Sequence, residues 1–425
     1  MKKQSNQSAK PSTSITTNLL IASVFLSLED IDKTFHLLEE HPEKDSAISV
    51  RLLQQLSIYK ELTEVSEIKK QIKNRLAEWS EKYGEPTISQ YTYIGKAYGI
   101  PIDEMMDRRI DPKGIMDLLN CYVVGQDDYK RKLSVAFHIH LMKNSPVGRN
   151  LDLPKSSLLV CGPSGSGKTY AAQTLAKNFN KPVVSINCNS IVPVGIVGTT
   201  IPDHFTAQLV RGLSPKEMEE CIVLLDEFDK ILQNPEFREP LQNEILSLTD
   251  DYGEIKCRVN FTSNSESVSI PTRNMMFIYT GVFDGINKIK TGDSIGYCQR
   301  NDTADPGQLK ASDLLAYGVK PELVGRIRNF SMLEQLTVND LLNVLNTSLE
   351  SPFQEYQNYF RVQGNMLTVT DDAKQALAEI ASERKLGVRG MKNLLHELLT
   401  EEMFHLPAGK PLSITYDFIT NHINH

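Results

Sequence analysis

Residues 162–169 read Gly162-Pro163-Ser164-Gly165-Ser166-Gly167-Lys168-Thr169, a complete G-x-x-x-x-G-K-[ST] phosphate-binding loop. No other stretch constrains the fold as tightly. Such a loop needs a buried strand to feed it and a helix to receive it, because glycine-turn N–H groups and a helix N-terminus jointly face the phosphates. Both neighbours are present. Ser157–Cys161 is a short apolar run, and Tyr170–Ala176 reads as a helix. In that setting Lys168 reaches the β- and γ-phosphates, and the Thr169 hydroxyl can ligate Mg²⁺.

Further apolar runs at 182–187, 221–226 and 274–280 are short and continuous rather than alternating. Strands buried on both faces look like this, so the expected fold class is α/β, with a parallel sheet between helical layers. The run ending at Asp226-Glu227 closes in two acids. Beside a phosphate loop, Asp226 is expected to hold the Mg²⁺ shell and Glu227 to orient and polarise an attacking water. A solvated acidic pair at a strand end is the plain alternative. Developing charge on a transferred phosphoryl group also calls for cations. Arg326, in Gly325-Arg326, and Arg389, in Gly387-Val388-Arg389-Gly390, are the candidates. Thr280 closes the 274–280 run, where it either senses the γ-phosphate and positions water or caps the strand.

With 425 residues, 40% of them hydrophobic and 23% charged, the chain reads as a globular protein of two or three domains. Its net charge of -7 argues against nucleic acid as the main partner. The six cysteines include no C-x-x-C pair, and Cys161, Cys188 and Cys221 border apolar runs like small buried hydrophobes. That pattern fits a reducing compartment, and the expected location is cytoplasmic. The apolar stretch 19–28 is too short to span a membrane and reads as the first helix of a soluble region. Residues 1–17 are expected to be disordered and 18–105 to form a helical N-terminal domain, with helices at 19–38, 45–56 and 65–83. The stretch 100–114, with two prolines and many charges, reads as a linker. A large domain over 106–330 and a small, mainly helical domain over 331–425 complete the expected organisation.

Taken together, these segments resemble the AAA+ ATPases, specifically the ClpX branch of the Clp protein unfoldases, over roughly residues 110–405. Tyr122-Val123-Val124-Gly125-Gln126 is similar to the family's adenine-contacting segment, so Val123 and Val124 join residues 162–170, from Gly162 to Tyr170, as expected nucleotide contacts. The resemblance implies ATP and Mg²⁺ as cofactors and Arg326 as an arginine finger reaching the neighbouring subunit's nucleotide. It implies Arg389 as a second sensor and a ring of identical subunits, usually six. Gly195-Ile196-Val197-Gly198 lies where the family has its first pore loop, with Ile196 in place of an aromatic grip. An ordinary glycine-flanked surface turn fits those four residues equally well. Ile295-Gly296-Tyr297 resembles the Ile-Gly-Phe tripeptide that docks the family onto a ClpP-type protease, and a short buried turn is its alternative.

The chain also departs from the family. It has no four-cysteine zinc cluster, and the segment 250–273 is short and polar where the family has a basic pore-entrance loop. The resemblance therefore implies an ATP-dependent protein unfoldase or remodeller acting on protein clients, with or without a protease partner. A nucleotide-switched assembly scaffold acting on one partner stands as the alternative from another class.

Overall fold

The computed structural model describes residues 65–106, 110–261, 264–291, 308–407 and 409–423, in two compact units that divide after Arg108. The helices expected at 19–38 and 45–56 and the tripeptide Ile295-Gly296-Tyr297 lie outside the described residues.

The first unit contributes α1 (Val65–Tyr83), α2 (Ile88–Tyr98) and α3 (Ile102–Met105). Ile72, Leu76 and Trp79 recur at helical spacing and form the buried stripe of α1. Thr87 opens α2 through a reciprocal capping box with Gln90, and Gly99 closes it. The stretch read as a linker is more ordered than that: Ile100, Ile102, Met105 and Met106 are buried.

The second unit begins at Asp111, whose carboxylate accepts the Gly114 N–H and caps α4 (Pro112–Asn120). Next come α5 (Asp127–Lys143), β1 (Ser157–Cys161), α6 (Lys168–Asn178) and β2 (Val183–Asn187). Helices α7 (Ile201–Val210) and α8 (Pro215–Met218) lead into β3 (Ile222–Asp226). After α9 (Phe228–Gln233) and α10 (Arg238–Thr249), an antiparallel hairpin of β4 (Glu254–Phe261) and β5 (Asn264–Pro271) precedes β6 (Met276–Gly281). Then α11 (Ile286–Thr291), α12 (Ala311–Tyr317) and α13 (Pro321–Arg326) lead to β7 (Asn329–Met332).

Five strands form one parallel sheet in the order β2-β3-β6-β1-β7. The expected α/β sheet is present, and the reason is visible in β1 and β6, where every residue is buried. Cys161, Cys188 and Cys221 are buried in this core, as their apolar flanks implied. Chain order and sheet order disagree at β1, which sits between β6 and β7. A crevice at the carboxyl ends of the strands follows from that switch, and ligands bind there in open α/β sheets.

Past β7 the chain builds a separate helical core. It comprises α14 (Val338–Thr347), α15 (Pro352–Val362), α16 (Asp371–Glu383), α17 (Gly387–His405) and α18 (Tyr416–Ile423). A two-stranded parallel pair, β8 (Leu367–Val369) and β9 (Leu412–Ile414), completes this lobe. Among the described residues no helix is long and apolar enough to cross a membrane.

Candidate nucleotide site

The phosphate loop leaves β1 at its carboxyl end, where α6 starts. Gly165 adopts φ 75 and Gly167 φ 94, conformations open to glycine at little cost. Lys168 folds back on the loop, its Nζ donating to the carbonyls of Gly162 (2.9 Å) and Pro163 (2.7 Å). Ser166 Oγ also donates to Pro163 O. Tyr129 of α5, fully buried, donates its hydroxyl to Lys168 O (2.5 Å) and so fixes the first turn of α6. Burial lowers the Lys168 pKa, Asp226 and Asp229 nearby oppose that, and Arg389 adds to it.

Polar satisfaction tests whether this loop fits phosphate. Among the described residues, the backbone N–H groups from Gly165 to Thr169 donate to no protein acceptor. A turn of unpaired donors at a helix N-terminus, beside a lysine whose ammonium is met by loop carbonyls, fits an anionic oxygen cluster.

The acids sit where β3 ends. Asp226 Oδ1 accepts the Thr280 hydroxyl (2.5 Å) and the Glu227 N–H (3.1 Å). Its other oxygen has no protein donor among the described residues, which fits a cation ligand. Thr280 lies on β6, the strand between β1 and β3, so sheet order brings the loop, the acid and the hydroxyl together. Glu227 is exposed and takes φ 55, an uncommon conformation for a residue with a Cβ. Two residues on, Asp229 is buried under β6 and accepts the Phe283 N–H (3.4 Å).

Arg389 reaches this site from the helical lobe. The Val388 N–H donates to Gly165 O (3.2 Å), so the first turn of α17 touches the phosphate loop. A Cβ on Gly387 would stand 3.0 Å from Gly165 and Ser164 backbone atoms, and Gly387 itself is at φ 60. Two glycines therefore make the closest approach of lobe and loop.

Val123 and Val124 lie at the entrance to α5. The Val123 N–H is committed to Leu119 O (2.8 Å), and its carbonyl accepts Lys130 Nζ (3.4 Å). Val124 packs on the core of the helical lobe. Gln126 clamps the chain after β7, donating to Glu334 O (2.9 Å) and accepting the Glu334 N–H (3.2 Å). Tyr170, next after the loop, donates its hydroxyl to Glu350 (3.0 Å) in the helical lobe. Neither Gln126, as a clamp, nor Glu350 carried a motif signal, since each acts through a contact distant in sequence.

Arg326 is not brought to this site. The Ser157 hydroxyl donates to Arg326 O (2.9 Å) at the start of β1, whereas the phosphate loop follows its end. Four steps along a strand separate those ends by about 13 Å. The Arg326 side chain forms an ion pair with Asp250, and both are well exposed.

Residues 195–198 form the tip of a loop pinned at its base by Val192 N–H to Thr199 O (2.9 Å). Val197 is 100% exposed and Val194 63%, against 43% for Ile196. The apolar tip is therefore shared among three residues, and the most exposed is Val197 rather than the expected Ile196.

A strand-fed phosphate loop, a strand-end acid pair, a neighbouring threonine and a helical lobe on the loop define a P-loop ATPase of the AAA+ class. Residues 153–330 match the family described as AAA domain (Cdc48 subfamily). The chain is 32% identical to ClpX 2 of Wolinella succinogenes, over 72% of this chain and 81% of that protein. It is 29% identical to the ClpX of Porphyromonas gingivalis (74% and 82%) and 30% identical to that of Borrelia duttonii (73% and 78%). All three are named ATP-binding subunits of an ATP-dependent Clp protease. This chain belongs to the ClpX family, and it is an ATPase.

Proposed function

We propose that the protein is an ATP-driven protein unfoldase or remodeller that works as a cytoplasmic ring of identical subunits, six by the family pattern, and draws a protein client through the pore. One observation carries this reading: a candidate nucleotide site, an arginine away from it and an exposed apolar loop belong to one sheet unit. Large apolar side chains fully in water mark a surface that meets another molecule. The Gly195–Gly198 tip is such a surface.

At the site, Lys168 gives up its two loop carbonyls for phosphate oxygens. Thr169 and Asp226 would hold Mg²⁺, which when bound neutralises phosphate charge. Thr280 keeps the Asp226 carboxylate in one orientation. Glu227 polarises the attacking water. Arg389 comes from the lobe, and Arg326 comes from the adjacent subunit, because within its own chain it lies at the wrong end of the sheet. ATP is thereby hydrolysed only where two subunits meet.

The test is a trap. Tagged Glu227→Gln protein, held in ATP in its native cell, is expected to retain protein clients. Many clients plus a ClpP-type protease subunit indicate a degradation machine. A single stoichiometric partner indicates a dedicated remodeller, a reading favoured by the aliphatic Ile196 and the absence of a four-cysteine cluster. Recovery of no client would contradict the account and favour the scaffold. Deleting Ile295–Tyr297 separates the first two: a protease-linked machine loses client degradation and keeps its ATPase.

A further inference from the structure

The function above leaves α10 unexplained. Its inward residues Leu241, Ile245 and Leu248 are core, as any helix on a sheet requires. The polar residues of this twelve-residue helix are engaged on two sides. On one side α10 holds the segment that carries the finger. Arg238 donates to Gly318 O (2.9 Å), and Gln242 Oε1 accepts the Lys320 N–H (2.8 Å). The Lys320 ammonium reaches Glu239 (3.1 Å) and Asn243 (2.7 Å). Just past the helix end, Asp250 pairs with Arg326 itself.

On the other side is Glu244. Its Oε1 accepts the backbone N–H of Val194 (2.8 Å), the first exposed residue of the apolar loop tip. Burial raises the pKa of the Glu244 carboxyl, and the Val194 N–H opposes that rise. A half-buried carboxylate aimed at a main-chain donor is a strong anchor, because charge-assisted hydrogen bonds are short and directional. The loop is otherwise closed by backbone contacts within itself, Val192 to Thr199 and Ile196 to Pro193.

We propose that Glu244 is the positioning residue of the apolar loop and that α10 is the strut joining that loop to the arginine-finger segment. This inference rests on the ring and pore reading above. A finger that leaves Asp250 for a neighbour's nucleotide pulls on 318–326. Polar contacts at Arg238, Glu239, Gln242 and Asn243 pass the movement to α10, which is packed too tightly to bend. Glu244 passes it to Val194. Loop position then follows the state of the neighbouring site, and neither Ile196 nor Val197 need touch nucleotide.

The test is amide hydrogen exchange on full-length protein in the Glu227→Gln background, with and without ATP. Peptides covering 318–326 and 192–199 are followed with Glu244 intact, as Glu244→Gln, and as Glu244→Ala. ATP is expected to protect both segments when Glu244 is present. Glu244→Gln keeps an acceptor oxygen and should retain the response. Glu244→Ala should leave the 318–326 response intact while 192–199 exchanges about tenfold faster and no longer follows ATP. A loop in Glu244→Ala that follows ATP as fully as its parent overturns the strut while leaving the ring standing. If ATP leaves 318–326 unprotected even with Glu244 intact, the ring reading itself falls, and the strut with it.

Discussion

Glu227 combines exposure, a left-handed backbone and a place one residue after Asp226, the proposed Mg²⁺ ligand. Left-handed backbone at a residue with a Cβ costs energy, and such strained positions cluster at functional sites. Glu227→Gln should therefore bind ATP normally and lose turnover by at least about a hundredfold, the usual range for a positioned base. Steady-state hydrolysis and fluorescent-nucleotide titration check the two halves separately. Thr280→Val keeps the shape of the side chain and deletes the donor to Asp226 Oδ1. Losing one hydrogen bond to a charged group should cost roughly tenfold in kcat with little change in nucleotide affinity. Unchanged kcat would make Thr280 a mere strand cap. The Gly162–Thr169 loop and the Asp226-Glu227 pair were legible in the sequence because each is local. The Thr280–Asp226 bond was not, since it depends on β6 lying beside β3.

At the scale of elements, the apolar runs that became β1, β3 and β6 could be read directly, because strands buried on both faces cannot hide their composition. The 182–187 run, also expected to be buried on both faces, became the edge strand β2, which buries Val184 and Ile186 but exposes Ser185 and Asn187. The β4–β5 hairpin escaped notice, since its polar residues and short alternation resemble a loop. Helix α2 escaped too: β-branched and aromatic residues fill it, and only its Thr87 cap and Gly99 stop mark it. The Gly165–Gly387 approach makes an element-scale prediction. Gly387→Ala sets a Cβ 3.0 Å from the loop backbone at a strained φ, so α17 must move away. ATP affinity should fall, and the melting temperature should drop modestly from the strained φ. An unaltered nucleotide Kd would mean that the lobe does not need this contact. Helix α5 carries a second. Burial, with Lys181 and Lys143 nearby, pushes the His140 imidazole down to about 3. Between that value and the ordinary 6.5 the unfolded chain binds the extra proton, so folded stability rises with pH across that window. Denaturant midpoints should therefore be highest above pH 6.5 and fall on acidification, less steeply in His140→Gln. Parallel curves for the two proteins would remove His140 as the cause.

For the whole molecule, the decisive feature is the distance between Arg326 and the loop of its own chain. Arg326 lies near the start of β1 and the phosphate loop follows its end, so in the proposed site a single subunit would supply every hydrolytic group except Arg326. The family resemblance alone proposes Arg326 as a finger, and its place at the start of β1 is a physical reason for such a role to need a second copy. The Arg326–Asp250 pair, exposed on both sides, is weak enough to give way when a neighbour's nucleotide is offered. The most direct test mixes two inactive proteins. Arg326→Ala lacks the finger and Glu227→Gln lacks the base, so each alone should hydrolyse almost no ATP. In mixed rings a Glu227→Gln subunit lends its arginine to the intact site of an Arg326→Ala neighbour, and random mixing should restore up to about a quarter of normal turnover. Recovered activity is the predicted result. Arg326→Ala hydrolysing ATP normally on its own, or mixed rings that form but stay silent, would contradict hydrolysis shared between subunits.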